Sequence, residues 1–137
     1  PREATILGLV VTDGWVTKKK EIYVCQKDGD KAEEIKKILG KDFTWYHYPH
    51  RVGCENYFYL TGDTRDKLNS VYTSKENFPS IVTALDKISL AALQRGMLLG
   101  DGSWAKSGRK ISFGQKDGPI KEGFQILCFL LGIGNVK

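Results

Sequence analysis

Long apolar runs are missing from this 137-residue chain, and cysteine and histidine are scarce. The longest apolar runs are too short to span a bilayer, and no stretch has the pattern of a signal peptide. The three cysteines, Cys25, Cys54 and Cys128, are an odd number without C-x-x-C spacing. This pattern excludes the usual zinc-binding and disulfide frameworks and favours reduced thiols in an intracellular protein. His47 and His50 have no further ligand at helical spacing, so a histidine metal site is not expected.

Basic residues are in excess. Lysine and arginine number 21 against 16 aspartate and glutamate, which gives a net charge of +5. This balance favours a polyanionic partner, although a lysine-rich solvated surface would have the same composition. The length corresponds to about one domain and is sufficient for a sizeable core.

Two similar apolar stretches lie 88 residues apart. The first, ILGLVVTDGW, places Gly8 five residues before Asp13, and the second, QRGMLLGDGSW, places Gly96 five residues before Asp101. Each predicts a buried helix that ends at a glycine. A glycine inside a helix costs about 1 kcal/mol relative to alanine, which favours a position where another backbone approaches closely. We therefore expect two adjacent helices that bring Asp13 and Asp101 to one place.

The remaining patterns repeat in the same order, which indicates a mixed α/β fold with an internal repeat. The tetrapeptide QKDG occurs at 26–29 and again at 115–118. We expect Asp30 and Ser89 to cap helices. The first repeat, residues 1–88, contains helices at 3–12, 30–39, 63–72 and 79–85 and strands at 15–18, 21–25, 43–50 and 56–61. The second repeat, residues 89–137, contains helices at 90–100 and 119–131 and strands at 103–106 and 110–113, and it stops where its second hairpin would begin. A chain that begins with Pro1 instead of methionine agrees with a processed or excised piece.

With these residues in view, the sequence resembles the LAGLIDADG family of homing endonucleases. The nine-residue family motif lies over Ile6–Gly14 and over Gln94–Gly102. Its central glycine matches Gly8 and Gly96, and its final Asp-Gly matches the pairs beginning at Asp13 and Asp101. The resemblance implies a pseudo-two-fold fold of repeated αββαββα units, in which the motif helices form the central interface and two β-sheets form a saddle over DNA.

The resemblance also implies a chemistry. The final motif acids, Asp13 and Asp101, would bind a divalent cation, usually Mg²⁺, and each would help to cut one DNA strand. Gln26 and Gln115 match a family position whose polar side chain orders water near the scissile phosphate. The family also uses a basic residue there, for which Lys87 is our candidate. The predicted function is site-specific cleavage of double-stranded DNA.

The predicted DNA surface consists of outward strand positions, because a two-stranded ribbon fits the major groove and basic side chains contact phosphates. The candidates are Thr17, Lys18, Lys20, Tyr23, Tyr46, Tyr48, Arg51 and Tyr59 in the first repeat and Lys106, Arg109, Lys110 and Ser112 in the second. Three alternatives stay open: a non-cutting nucleic-acid binder such as an RNA maturase, a degenerate intein endonuclease fragment, and a structural domain of a larger protein. The chain would act as a pseudo-symmetric monomer or a dimer of fragments, without a membrane partner.

Overall fold

The computed structural model describes residues 1–104, 110–113, 118–132 and 135–136, with side chains described for residues 1–100 and 118–132. This part of the chain is a mixed α+β structure. The α-helices are α1 (Arg2–Asp13), α2 (Asp30–Leu39), α3 (Gly62–Val71), α4 (Phe78–Thr83), α5 (Lys87–Asp101) and α6 (Pro119–Leu130), and a short 3₁₀ helix spans Lys75–Asn77. The strands are β1 (Gly14–Val16), β2 (Ile22–Gln26), β3 (Phe43–His47), β4 (Asn56–Leu60), β5 (Gly102–Trp104), β6 (Lys110–Phe113) and β7 (Asn135–Val136).

Helices α1 and α5 pack against each other along their glycines. A Cβ placed on Gly8 would lie 2.5 Å from the carbonyl oxygen of Leu93 and 2.6 Å from the amide nitrogen of Met97. A Cβ placed on Gly96 would overlap the carbonyl oxygen of Thr5. Only glycine permits this approach, because the neighbours on both sides are backbone atoms that cannot rotate away. The expected close packing of the two apolar helices is therefore confirmed.

The two helices run in the same direction. Thr5 lies against Gly96, and Thr12, seven residues further along α1, lies against Gly100, four residues further along α5. The contact positions advance together, so the C-terminal ends of α1 and α5 lie side by side. The chain thus brings the backbone end of α5, at Asp101, next to the end of α1 at Asp13.

Four strands form an antiparallel sheet in the order β1-β2-β4-β3. Alternation along each strand gives the sheet one buried face and one outer face, since successive side chains point to opposite sides. Ile22 and Val24 of β2 and Phe58 and Leu60 of β4 are buried in one core with α1 and α2. The sheet thus packs on α1: β1 leads away from the end of that helix, and β2 returns to it.

The element order of the first part of the chain begins again at α5. Strands β5 and β6 pair as an antiparallel hairpin, as β1 and β2 do, and α6 follows. Strand β7 pairs with β6 in parallel, through Lys110 with Asn135 and Ile111 with Val136. The observed order agrees with the predicted repetition up to this point.

Two of the predicted helix caps need correction. Helix α5 begins at Lys87, and the Oδ1 atom of Asp86 accepts a hydrogen bond of 2.8 Å from the amide of Ser89, so Asp86 and not Ser89 satisfies the first turn. Helix α2 begins at Asp30, so Gly29 and not Asp30 holds the cap position. Gly14 ends α1, as predicted, in an extended conformation with φ −124°, and glycine is required there because a Cβ would overlap the carbonyl oxygen of Tyr23.

The expectation of three reduced thiols is wrong for two of the cysteines. Cys25 and Cys54 are paired as a disulfide, with their Cα atoms 5.7 Å apart, and Cys128 is free and buried. Their separation is within the range that a disulfide bridges. The sequence pattern could not reveal this pairing, because it depends on β4 folding back beside β2 across 29 residues.

Candidate functional site

Asp13 lies at the junction of α1, α5 and β2. It is the last residue of α1, and its Cγ lies 3.4 Å from the position of a Cβ on Gly100. Thr12, beside it, donates its hydroxyl hydrogen to the carbonyl oxygen of Gly8 at 2.8 Å. The carboxylate therefore sits where two helices end together. Helix C-termini carry partial negative charge, so this junction is a place where a cation is favoured.

Gln26 holds this carboxylate from the side of the sheet. Its Nε2 atom donates a hydrogen bond of 2.9 Å to Oδ2 of Asp13, and its Oε1 atom accepts one of 3.0 Å from the amide of Lys27. The side chain is only 8% exposed. The sequence analysis placed Gln26 near Asp13, and the structure brings the two together. Both ends of the amide are engaged, so its role is to orient Asp13.

A buried asparagine anchors the turn that carries Gln26. Asn56 is 1% exposed, and its Nδ2 atom donates to the carbonyl oxygen of Gln26 at 3.2 Å and to Oδ1 of Asp28 at 2.8 Å. Its Oδ1 atom accepts a hydrogen bond of 2.9 Å from the indole of Trp45. The network fixes the end of β2, because each polar atom of this buried amide has a partner.

Asp28 continues this network to the surface. Hydrogen bonds from Asn56 and then from His47, whose Nε2 atom lies 3.0 Å from Oδ1, hold the pKa of Asp28 below its ordinary value. The amide of Asp28 donates to Oε1 of Glu55 at 3.1 Å. This amide and that of Gly53 are the main reason that the pKa of Glu55 is lowered. Both carboxylates therefore stay ionised in mildly acidic solution.

The outer face of the four-stranded sheet is aromatic. The rings of Trp15 on β1 and Tyr23 on β2 stack with centroids 5.2 Å apart and planes 15° from parallel, and Tyr59 on β4 follows at 5.0 Å from Tyr23. Tyr57 meets Trp15 edge-on at 6.0 Å. Tyr46 of β3 is opposite Tyr57 and is 44% exposed. Burial and the neighbouring Glu21 raise the pKa of Tyr23, so its phenol stays neutral.

Two arginines lie at the edges of this aromatic face. The guanidinium of Arg51 lies 4.7 Å from the ring centroid of Tyr48 and donates to the hydroxyl of Tyr57 at 3.0 Å. Hydrogen bonds to Asp66 and to Tyr59 raise the pKa of Arg65. The predicted surface residues Tyr23, Tyr46, Tyr48, Arg51 and Tyr59 thus lie together on one side of the sheet.

The β1–β2 turn supplies further predicted residues. Thr17 uses its hydroxyl oxygen to accept a hydrogen bond of 3.0 Å from the amide of Glu21, which gives it a structural part in the turn. Lys18 and Lys20 are exposed, and Lys20 adopts φ 63° at the tip. The two lysines can reach an anion, whereas the Thr17 hydroxyl is already engaged.

Some of the predicted site residues are not close to Asp13, and others lie outside the described part of the chain. Lys87 is the first residue of α5, thirteen residues before Gly100 and therefore about 20 Å from it along the helix axis, and the structure does not bring it to Asp13. The side chain of Asp101 and the predicted Gln115, Lys106 and Arg109 lie outside the described residues. Lys110 and Ser112 lie on β6, and their side chains also lie outside the description.

Sequence reasoning missed Trp15, Tyr57 and Asn56. Period-two alternation would have found the first two, since each is two positions from a named residue, Thr17 or Tyr59, on the same strand or its continuation. No local signal could identify Asn56, whose role depends on the register of β4 against β2, in which it faces Gln26.

The donor groups at Asp13 suit a hard cation that needs few protein ligands. Where side chains are described, no group of three or more histidine, cysteine, aspartate or glutamate residues could hold a metal ion. Mg²⁺ is commonly held by one or two carboxylates together with substrate phosphates, so the residues at this junction fit it. In the same part of the chain, no helix has the length and apolar character needed to cross a membrane.

Comparisons with protein-family models, with curated proteins and with solved structures find no match for this chain.

Proposed function

We propose that this chain is a divalent-metal-dependent endonuclease that cuts double-stranded DNA at specific sites, with a pseudo-two-fold LAGLIDADG-like architecture. The observation that carries the proposal is the position of Asp13 beside Gly100, the residue that precedes Asp101. Two parallel helices that end together would place two carboxylates at one junction. A pair of carboxylates at two negative helix ends is unfavourable unless a cation joins them.

Asp13 and Asp101 would hold the cation, and Gln26 would keep Asp13 in position. A bound Mg²⁺ would supply charge stabilisation to the oxygens of the phosphate that is cut. The hydrogen bond from Gln26 restricts the orientation of the Asp13 carboxylate. Fixing a ligand in this way reduces the reorganisation that metal and substrate binding would otherwise require.

The outer sheet face next to β2 would hold the DNA. Lys18 and Lys20 on the β1–β2 turn and Arg51 at the end of β3 lie beyond the aromatic centre of this face. Basic groups at the edges of a sheet match the two phosphate strands that border a groove. Strand β2 links this surface to the candidate cleavage site, because Tyr23 lies on its outer face and Gln26, on its buried face, ends the strand beside Asp13.

The proposal is tested by a nuclease assay with a plasmid library that carries random inserts, in Mg²⁺ and in EDTA. We expect discrete double-strand cuts in Mg²⁺ and none in EDTA. Asp13→Asn should abolish cutting, because it removes a ligand charge, and should keep DNA affinity in EDTA within about twofold of the original. Asp63→Asn, which changes an exposed carboxylate on α3, is the matched control and should cut normally.

Two results would overturn the proposal. One is cleavage by Asp13→Asn at the rate of the unchanged chain. The other is tight DNA binding without any cutting in Mg²⁺, which would identify a non-cutting nucleic-acid binder instead.

A further inference from the structure

The open edge of the four-stranded sheet carries a small pocket. Strand β1 is an edge strand, and a pocket of about 210 Å³ lies along it, lined by Gly14, Trp15 and Val16 on one side and by residues 72–75 on the other. Thr73, Ser74 and Lys75 are exposed, so their hydroxyl and ammonium groups are accessible beside it. The pocket therefore combines an aromatic ring, hydrogen-bonding groups and one positive charge.

Trp15 connects this pocket to the aromatic face. Its ring is 43% exposed and is the first member of a series that continues through Tyr23 and Tyr59 at spacings of 5.2 and 5.0 Å. An added flat ring could continue the series from Trp15 at the sheet edge. Aromatic rings offer such stacking to any base, whatever its sequence.

We infer that this edge binds single-stranded nucleic acid, with one unpaired base stacked on Trp15 and an adjacent phosphate near Lys75. A base in a duplex has both faces covered by its neighbours, so only an unpaired base can stack on a protein ring. The positive charges of Lys75, Arg51 and Arg65 complement the phosphates of a strand that crosses the face. The strand would share part of the sheet face proposed for duplex DNA, and its binding needs no metal.

The test measures the fluorescence anisotropy of a labelled oligothymidylate and of a labelled duplex of equal length, both in EDTA so that cleavage cannot contribute. We expect the single strand to bind more tightly than the duplex. Trp15→Ala should weaken single-strand binding at least about fivefold, the loss expected for one base stack, and Trp15→Phe should retain most of it.

Phe129→Ala is the matched control. Phe129 is an aromatic residue that is 79% exposed, and it lies on α6 and not on the sheet. Phe129→Ala should leave single-strand affinity within about twofold. Circular dichroism establishes that each variant is folded. A labelled oligouridylate, measured in parallel, decides between RNA and DNA. Tighter binding of the uridylate identifies RNA as the ligand, and equal binding identifies both. In either case the base still stacks on Trp15.

Equal losses from Trp15→Ala and Phe129→Ala would overturn the inference, and so would tighter binding of the duplex. Lys75→Ala gives a second readout, since it should reduce the salt dependence of single-strand binding. An unchanged salt dependence would remove Lys75 from the site. Because every measurement is made without metal, failure here is distinguishable from failure of the nuclease proposal.

Discussion

The side-chain amide of Gln26 donates a hydrogen bond of 2.9 Å to Oδ2 of Asp13. One residue ends α1 and the other ends β2, so the bond joins the helix at the centre of the molecule to the sheet that it supports. Asn56, which faces Gln26 across the sheet, fixes the same turn by donating a hydrogen bond to the main-chain carbonyl oxygen of Gln26. The orientation of Asp13 thus depends on both layers of the fold.

Gln26→Leu removes this donor while keeping a side chain of similar size. If the proposed cleavage holds, its rate should fall roughly 10- to 100-fold, as for other groups that orient a metal ligand. The control is Gln125→Leu, the same change at an exposed position of α6. Rates are measured at saturating Mg²⁺ on folded protein. A Gln26→Leu enzyme that cuts as fast as the control would show that the hydrogen bond does not matter for cleavage.

Gly96→Ala tests the contact between α1 and α5. Two effects of opposite sign on the free energy of unfolding are expected. Helix propensity alone would stabilise the chain by about 1 kcal/mol. The added Cβ, however, would overlap the carbonyl oxygen of Thr5, and overpacking of this kind costs about 1–3 kcal/mol or more. We therefore expect a net destabilisation in urea unfolding.

Gly53→Ala is the comparison for that experiment. Gly53 adopts φ +89° in open space, so the alanine there meets only backbone strain, of about 1–2 kcal/mol. A Gly96→Ala chain as stable as the original would mean that α1 and α5 can separate without cost, which contradicts the close packing.

The buried phenol of Tyr72 leads us to expect that the folded chain loses stability in alkali. The side chain is 8% exposed, and burial, with a smaller effect of Glu76, raises the pKa of its phenol to about 12 from 10.0. Well below pH 10.0 the phenol is protonated in both the folded and the unfolded chain, so it adds no pH dependence. Between the two pKa values only the unfolded chain loses the proton, so the free energy of unfolding falls as the pH rises.

The measurement is urea unfolding well below pH 10.0 and near pH 12, for the original chain and for Tyr72→Phe. The phenylalanine variant lacks this group, so its stability should fall less across the interval. Equal falls in the two chains would show that Tyr72 ionises as easily in the folded state as in the unfolded one.

The disulfide predicts a thiol count and a stability difference. Denatured without reductant, the chain should expose one titratable thiol, that of Cys128, and after reduction it should expose three. Closing 29 residues corresponds to about 3–4 kcal/mol of loop entropy, so Cys25→Ser should unfold at lower urea and lose its response to reductant. Three thiols before reduction would contradict the pairing.

Local patterns predicted most of the elements, and the errors have identifiable causes. Helix α2 spans the predicted residues 30–39, because its apolar spacing and Gly40 at φ 62° are local signals. Strand β3 ends at His47, three residues earlier than predicted, because the chain turns directly after Tyr48, whose amide donates to the carbonyl oxygen of Glu55 at 2.8 Å. Strand length depends on the partner strand, which no local window contains.

The sequence by itself determined that two glycine-containing apolar helices occur 88 residues apart, each with an acid at its end, since helix formation and burial follow from the local order of apolar residues. Through the family resemblance it also indicated Gln26 as a residue near the metal and the scissile phosphate. Only the tertiary structure decided the Asn56 network, the Cys25–Cys54 pair and the aromatic series from Trp15 to Tyr59. These relationships join residues that are distant in sequence, and they are fixed by strand register and helix packing, which depend on the whole chain at once.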